Sequence, residues 1–374
     1  MKPRLLLVMT AYNGKDFVPR SIGSATRVDD TECDVDILVL DDCSPEPGFS
    51  QTIRALCGSL GVQYYRSPRN LGIPRNVNLG LLRALAGGYT YVVISNSDVI
   101  YPANLASGLA GVAASDPRIG SVMAWSNNVS VYSLPCVAPD EYLADQATVD
   151  WISGSLTAEF GAEVVDTPSG ISFCILIPTA ALPKVGLMDP VFGRGYCEEV
   201  DWSLRSQDRG LRTTVAPSVF VYHMGAGTNV GAGLVAAGHV TVPAHEKIID
   251  MRYPRFRADL KEFRAHNPIH DMGDRAVARL VRDAAAEWGW VLAPAPRGPL
   301  AGDNAVLCSL VGSKARSAAI AWRGFRMELQ LNGESPSAVL TDFFGRPQGA
   351  APVAQPPTPP LRAAQFDTIY PEHV

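Results

Sequence analysis

Short apolar runs alternate with amphipathic segments between residues 1 and 235. Four runs have strand length and end at polar or turn residues, namely residues 5–9, 35–40, 62–65 and 91–95. Three segments between them carry apolar residues at helical spacing, namely 15–25, 50–60 and 73–85. Strands separated by helices pair in parallel through right-handed crossovers. The pattern therefore predicts an α/β fold, with a mostly parallel sheet sandwiched by helices.

The pattern changes further along the chain. Prolines interrupt residues 129–170, where we expect loops and short elements. Next come predicted strands over 171–177 and 213–223, a short element over 180–187, and a helix over 199–208 that Gly210 ends. Beyond a glycine-rich stretch we predict helices over 246–265 and 274–288 and a strand over 305–311. These features predict a domain over 1–235, a mainly helical extension with short strands over 236–345, and a proline-rich tail over 346–374.

Polar residues follow several of the predicted strands. Asp41 and Asp42 end one apolar run, Asn96, Ser97 and Asp98 end another, and His223 ends a third. In an open α/β sheet, ligands bind outside the carboxyl ends of the strands. We therefore expect these side chains to meet at one edge of the sheet.

Each polar group also has an ordinary structural explanation. Asp41 and Asp42 can accept hydrogen bonds from a base N–H or a ribose hydroxyl, or they can form a turn. Asp98 can hold a divalent cation together with phosphate oxygens, or it can cap a helix. His223 can ligate a metal or be a structural histidine. Taken together, the groups favour a ligand site.

Glu198 and Glu199 begin the predicted helix over 199–208. Two adjacent carboxylates repel each other, so the pKa of one should lie above that of the other, which suits a general base. Acidic residues are also favoured in the first turn of any helix, and that explanation stays open. Arginines 66, 69 and 75 either neutralise a phosphate or lie on the surface.

Composition narrows the class of protein. The net charge of -5 argues against a dedicated nucleic-acid-binding protein. Seven cysteines without a Cys-x-x-Cys pair indicate reduced thiols rather than a zinc or redox motif. Residues 5–9 are too short for a signal-peptide core, and no apolar run approaches the roughly 20 residues that span a bilayer. We therefore expect a cytoplasmic protein, with peripheral contact at the inner face of the membrane left open.

Seven ordered segments resemble the family 2 glycosyltransferases, which are inverting enzymes with the Rossmann-like GT-A fold. The resemblance covers about residues 4–225 and is strongest for the branch of bacterial rhamnosyltransferases and galactofuranosyltransferases. The segments are Thr10-Ala11-Tyr12-Asn13, residues 39–44, Asn70-Leu71-Gly72 with Asn76, Asn78 and Gly80, residues 95–99, residues 186–189, Glu198 to Trp202 with Arg205, and His223.

The resemblance implies roles for these residues. Glu199, supported by Glu198, stands where the family usually places its catalytic aspartate. Asp98 matches the last acid of the family's metal motif, His223 completes the metal shell, and Asn96 replaces the first acid. The implied cofactor is Mn²⁺ or Mg²⁺. The implied donor-binding residues are Thr10, Ala11, Tyr12, Asn13, Asp41, Asp42, Arg69, Asn70, Gly72, Asn76, Asn96 and Ser97.

The expected function is transfer of a sugar from a UDP- or dTDP-sugar to a hydroxyl of a glycan or lipid-linked saccharide, as in polysaccharide biosynthesis. Two alternatives remain. One is a catalytically weak or inactive relative that binds sugar nucleotides or glycans. The other is a nucleotidyltransferase, although residues 9–15 hold only one glycine and one lysine for a phosphate loop. A homo-oligomer also stays open.

Overall fold

The structure of the protein is a computed structural model. It describes residues 2–129, 132–134, 145–225 and 242–266, single residues or pairs between 268 and 283, and the backbone of 309–310, 317–322 and 325–330. The predicted tail over 346–374, the boundary near 235 and most of the predicted helix over 274–288 lie outside the described residues.

Strands and helices alternate along the described part of the chain. The strands are β1 Arg4–Ala11, β2 Asp34–Asp41, β3 Gln63–Arg66, β4 Tyr91–Ser95, β5 Val99–Ile100, β6 Ile119–Ser126, β7 Val165–Asp166, β8 Cys174–Pro178, β9 Arg212–His223, β10 Ser309–Leu310, β11 Ser317–Trp322 and β12 Phe325–Gln330. The helices are α1 Val18–Ala25, α2 Phe49–Leu60, α3 Ile73–Ala86, α4 Leu105–Ser115, α5 Gln146–Phe160, α6 Leu182–Val185, α7 Glu198–Asp208, α8 Pro243–Arg252 and α9 Phe256–His266. Single 3₁₀ turns cover Thr179–Ala181 and Pro190–Phe192.

One nine-stranded sheet organises the described residues before 225. Its main order is β3-β2-β1-β4-β8-β6-β9-β5, and β7 pairs with β9. The strands β1 to β4 are mutually parallel, and β6 is parallel to β9. The strand β8 is antiparallel to both β4 and β6, so it joins the two parallel groups. The site below lies where the parallel strands end.

Both faces of this sheet are buried, which explains the unbroken apolar runs. Along β1, Leu6 and Val8 pack into one core, while Leu5, Leu7 and Met9 pack into the other. This alternation follows from side chains pointing to opposite faces at successive positions of a strand. The first core is closed mainly by α3 and α5, and the second by α1, α2 and α4.

Most predicted elements are confirmed, but two predictions were wrong. Residues 129–170 contain the helix α5, which buries Val149, Ile152 and Leu156, rather than loops and short elements alone. The predicted helix over 246–265 is two helices, α8 and α9, because the chain turns between Arg252 and Phe256, where Pro254 lies.

The region after residue 235 combines helices and strands. The helices α8 and α9 are followed by a three-stranded antiparallel sheet in the order β10-β11-β12. Across the described residues, none of the helices has both the length and the hydrophobicity needed to cross a membrane.

Candidate active site

Strand register brings the predicted donor-binding segments to one edge of the sheet. Ala11, at the end of β1, lies opposite Asp41 at the end of β2. On the other side of β1, Met9 lies opposite Ser95 at the end of β4. The hydroxyl of Thr10 donates to the carbonyl of Ser95 over 3.2 Å. The segments that follow these three strands are therefore neighbours, as the sequence predicted.

The loop after β1 is fastened to the loop after β2. Asn13 has a left-handed φ of 61°, and its N–H donates to Ser44 Oγ over 2.9 Å. Its side-chain oxygen accepts from the N–H of Glu46 over 3.1 Å, and the Glu46 carboxylate accepts from the N–H of Gly14 over 2.8 Å. Asn13 therefore shapes the loop, while Tyr12 remains half-buried beside it.

The Asp41 carboxylate is 0% exposed and has partners within the protein. Its Oδ1 accepts from the N–H of Ser44 over 2.8 Å, and its Oδ2 accepts from the hydroxyls of Ser50 and Tyr64, each over 2.6 Å. Arg66 Nε lies 3.4 Å from Oδ2. A carboxylate offers about four acceptor sites, so these contacts occupy most of them. The nucleobase contact of Asp41 stays a prediction.

Asp42 holds the loop that precedes α3. Its two oxygens accept from the N–H groups of Leu71 and Gly72 over 2.7 and 2.9 Å. Burial raises the pKa of Asp42, and these two N–H groups act against that rise. Arg69 and Asn70 are exposed in the same loop. Asp42 thus places two predicted donor-binding side chains where a ligand can reach them.

Gly72 brings this loop against the loop that precedes α7. It has a φ of 77°, and a Cβ at this position would lie 2.0 Å from the carbonyl oxygen of Gly193. The N–H of Ile73 donates to the carbonyl of Arg194 over 3.4 Å. Because no side chain fits between the two backbones, the position requires glycine.

Two asparagines of α3 form hydrogen bonds inside the protein that hold neighbouring elements together. Asn76 is buried and its amide donates to the carbonyl of Leu40 over 3.3 Å. Asn78 donates to the carbonyl of Met188 and accepts from its N–H, each over 2.9 Å. The pair joins α3 to β2 and to the segment before the 3₁₀ turn Pro190–Phe192.

Asp98 and His223 form the predicted pair. The strand β5 pairs with the end of β9, and Asp98 Oδ1 lies 3.4 Å from His223 Nε2. His223 Nδ1 lies 2.7 Å from the carbonyl oxygen of Asn128. A carbonyl only accepts, so Nδ1 carries a proton, and Nε2 is the ring nitrogen that faces Asp98. Both side chains are mostly buried.

The remaining polar residues after β4 are Asn96 and Ser97. The amide nitrogen of Asn96 lies 3.2 Å from His223 Nε2, and the backbone N–H of Asn96 donates to the carbonyl of Phe173. Ser97 is buried, and its carbonyl accepts from the hydroxyl of Ser21 over 2.8 Å. Within the residues that the structure describes, no group of three or more His, Cys, Asp or Glu side chains is arranged to hold a metal ion.

Glu198 and Glu199 open α7 after a left-handed turn. Tyr196 and Cys197 have φ values of 71° and 74°, which are uncommon for residues other than glycine. Cys197 stands at the N-cap without a side-chain capping bond. The Oε2 atom of each glutamate is buried and has no hydrogen-bond partner among the described residues. Buried polar atoms without partners are uncommon and call for an explanation, of which a catalytic role or a bound ligand is one.

Burial sets the charge of these two glutamates. It raises the pKa of Glu198 well above the ordinary range, and the charge of Glu199 adds to the rise. Burial also raises the pKa of Glu199 to about 7, with a contribution from the charge of Glu246. Burial therefore favours the protonated form of both carboxyl groups, and a pKa of about 7 lets Glu199 accept a proton near neutral pH.

Two routes of contact connect α7 to the strand ends. On one side, the segment before α7 touches Gly72, which Asp42 holds. On the other side, the Ser203 hydroxyl accepts from the N–H of Gly170 over 2.8 Å, just ahead of Phe173, whose ring packs on His223 at 5.5 Å. The helix α7 is thus linked to His223 through residues 170–173 and to the loop before α3 through Gly72.

Sequence reasoning missed residues that orient His223. The Asn127 side chain accepts from the N–H of His223 over 2.8 Å and donates to its carbonyl over 3.0 Å. Asn128 fixes the imidazole through its carbonyl. Both follow the apolar strand β6, so the rule that polar residues after a strand mark the site would have found them.

A comparison with known families matches residues 6–150 to the model described as "Glycosyl transferase family 2". The match covers less than half of the chain and includes every predicted site residue up to Asp98. Glu198, Glu199 and His223 lie beyond it. The resemblance to this family is thus confirmed over residues 6–150, whereas the rhamnosyltransferase and galactofuranosyltransferase branch stays a prediction. The GT-A-like fold class, mixed α/β with a mostly parallel sheet between helices, is also confirmed.

Solved structures with a similar fold include GalNAc-T7 with UDP, GalNAc and Mn²⁺, at 13% identity and a TM-score of 0.47. That likeness covers 59% of this chain, which spans 44% of the GalNAc-T7 chain. Another is the mannosyltransferase PcManGT from Pyrobaculum calidifontis in complex with GDP-Man and Mn²⁺, at 16% identity and a TM-score of 0.48, with coverage of 80% and 77%. No curated protein matches the sequence.

Proposed function

We propose that the protein is an inverting glycosyltransferase, which moves a sugar from a nucleotide-diphosphate donor to an acceptor hydroxyl. The observation that carries this proposal is the pair of buried Glu198 and Glu199 oxygens, which have no hydrogen-bond partner among the described residues and lie on a helix linked to His223 through residues 170–173. The family match over residues 6–150 supports a nucleotide-sugar donor. The topology of the sheet alone would not support such a donor, because one fold can carry many functions.

In this proposal Glu199 is the general base. It takes the proton of the acceptor hydroxyl while that oxygen forms a bond to the anomeric carbon of the donor. The bond between that carbon and the diphosphate oxygen breaks on the opposite face, which inverts the configuration. The raised pKa of Glu198 favours its protonated form, which can donate a hydrogen bond to the acceptor.

Asp98 and His223 would hold a divalent cation, Mn²⁺ or Mg²⁺. They offer one carboxylate and one imidazole lone pair, and phosphate oxygens and water would supply the other ligands. When bound, such a cation takes up the negative charge of the departing diphosphate. The amide of Asn96 contacts the same His223 nitrogen, so it would have to turn away. This donor set fits a cation shared with the donor.

The donor would lie across the segments that follow β1, β2 and β4. Tyr12, Arg69 and Asn70 are accessible there, and we assign them to the nucleoside and the phosphates. Thr10, Asn13, Asp42 and Gly72 shape the surrounding loops. We propose a UDP- or dTDP-sugar and, from the resemblance, a glycan or lipid-linked acceptor at the cytoplasmic face of a membrane.

The test is a screen of UDP-, dTDP- and GDP-sugars with and without Mn²⁺, which follows both the unfolding temperature and the consumption of donor. A ligand that binds only the folded state raises its stability. We expect one nucleotide class to stabilise the protein more strongly with Mn²⁺ and to be consumed slowly as water replaces the acceptor. Stabilisation without turnover on a glycan panel would indicate a binding protein instead. No stabilisation by any donor would contradict the proposal.

A further inference from the structure

The helix α8, which lies in the predicted C-terminal extension, packs on the segment that carries the two glutamates. Ile249 of α8 and Phe256 and Leu260 of α9 form a small core with Phe192 and Cys197. This core is separate from the two cores of the main sheet. The extension is therefore packed against the site itself.

His245 of α8 holds the left-handed turn before α7. Its Nδ1 lies 2.9 Å from the carbonyl oxygen of Gly195 and 3.1 Å from that of Tyr196, so this nitrogen carries a proton and donates to both. Its ring packs edge-on against Phe192 at 5.6 Å. Turns in this conformation persist only when their surroundings hold them.

Glu246, the next residue, faces the same turn. Its Oε1 accepts from the thiol of Cys197 over 3.6 Å, and its other oxygen is paired with Arg257 of α9. Arg257 also pairs with Asp250 over 2.7 Å. The charge of Glu246 contributes to the raised pKa of both Cys197 and Glu199. A carboxylate from the extension thus contacts Cys197, two residues before the proposed base.

We propose that Glu246 is a positioning residue for the reaction, because it holds the turn from which Glu198 and Glu199 project and keeps one negative charge beside Glu199. This inference rests on the proposed function. The titratable groups that meet at this turn are Glu198 and Cys197 on the segment of Glu199, and His245 and Glu246 on α8; Arg257 partly offsets the charge of Glu246. A nearby like charge makes a carboxylate a stronger base.

The experiment measures the titration of Glu199 in the full chain. Carboxyl-¹³C glutamate labelling gives its midpoint, and the Glu199→Gln variant assigns the signal. We expect Glu246→Gln to lower the midpoint by roughly 0.5 to 1 pH unit, because it removes a like charge. Arg257→Gln should raise the midpoint, because it leaves that charge uncompensated. The apparent pKa of the acidic limb in the pH profile of kcat/KM should shift in the same direction as the midpoint in each variant.

Asp250→Asn is the matched control. Asp250 shares Arg257 with Glu246 but makes no described contact with Cys197, so it should leave the midpoint nearly unchanged. Thermal unfolding identifies variants that do not fold. An unchanged midpoint in folded Glu246→Gln, or shifts of the same sign in Glu246→Gln and Arg257→Gln, would overturn this inference. Absence of turnover in the native protein would contradict the proposed function, while the titration would still decide the effect of Glu246.

Discussion

Two neighbouring glutamates of the same helical turn have raised pKa values. Glu198 is 3% exposed, and burial together with the charge of Glu199 raises its pKa well above the ordinary value. Glu199 titrates in the neutral range instead. Because glutamine imitates a protonated glutamate, the same substitution should lower activity strongly at the proposed base Glu199 and only slightly at Glu198.

We expect Glu199→Gln to lower kcat by about a hundredfold or more, since general-base catalysis contributes that much. Glu198→Gln should cost far less, because the raised pKa of Glu198 favours the protonated form that glutamine imitates. Donor binding, measured by thermal shift, should persist in both. Exposed Glu262→Gln serves as a control and should behave as the native protein. If Glu198→Gln abolishes turnover while Glu199→Gln retains it, the two roles are reversed.

The same two residues predict a pH dependence of stability. Their pKa values in the folded state lie above the ordinary value of 4.5, so folding favours their protonated forms. Their stabilising effect is present below pH 4.5 and is lost as the pH rises through about 7. Each unit of raised pKa corresponds to about 1.4 kcal/mol. Denaturant unfolding from pH 4.5 to 8 should show a decline that the double glutamine variant reduces; an equal decline in both proteins would contradict this assignment.

If Asp98 and His223 hold the cation, Mn²⁺ should increase the stabilisation of the protein by a nucleotide sugar. Asp98→Asn and His223→Ala should abolish the additional stabilisation that Mn²⁺ gives with a nucleotide sugar, because each removes one of the two protein ligands. Asp30→Asn replaces an exposed carboxylate and should keep it. The measurement is the unfolding temperature with donor, with and without Mn²⁺. Retention of the full Mn²⁺ effect in both site variants would place the cation elsewhere.

At the level of elements, the ends of the strands were predictable from the sequence, but the side chains that form hydrogen bonds with the residues at those ends were not. The apolar runs gave β1, β2 and β4 and placed Asp41 and Asp98 at one edge. The direction of β8 leaves no trace in its pattern, since parallel and antiparallel central strands are equally apolar. The Asp41 carboxylate accepts hydrogen bonds from Tyr64 of β3 and Ser50 of α2. These residues belong to later elements of the chain and come close to Asp41 only in the folded structure.

The contact between the loops before α3 and α7 provides another prediction. Gly72→Ala places a methyl group 2.0 Å from the carbonyl oxygen of Gly193 and also strains a positive φ. Gly61→Ala strains a similar φ of 69° but meets no atom within 4 Å. We expect Gly61→Ala to cost about 1 kcal/mol of unfolding free energy. Gly72→Ala should cost about 1 to 3 kcal/mol more, because overpacking adds to the strain.

Activity distinguishes the two glycine variants further. Gly72→Ala should also lower turnover, because the displaced loop precedes the glutamates, whereas Gly61→Ala should not. Denaturant unfolding and donor consumption provide the two measurements. Equal losses of stability in both variants would show that the loops separate at no cost.

At the scale of the whole molecule, the sequence failed where function depends on packing between distant segments. Nothing in residues 243–257 resembles a known motif, yet His245 and Glu246 contact the turn before α7. Asp201, two residues after Glu199, is fully buried and accepts from Arg252 over 2.7 Å and from Tyr253 over 2.9 Å. Such pairings join residues about fifty positions apart. An amphipathic pattern indicates which face of a helix is buried, but it does not indicate which distant residues pack against that face.

The close approach of Gly72 to Gly193 joins two stretches of backbone that are far apart in the sequence. One of them carries the proposed donor-binding residues Arg69 and Asn70, and the other leads into the two glutamates. A change at this junction should therefore weaken donor binding and turnover together, whereas a change within only one of the two loops should affect mainly one of them.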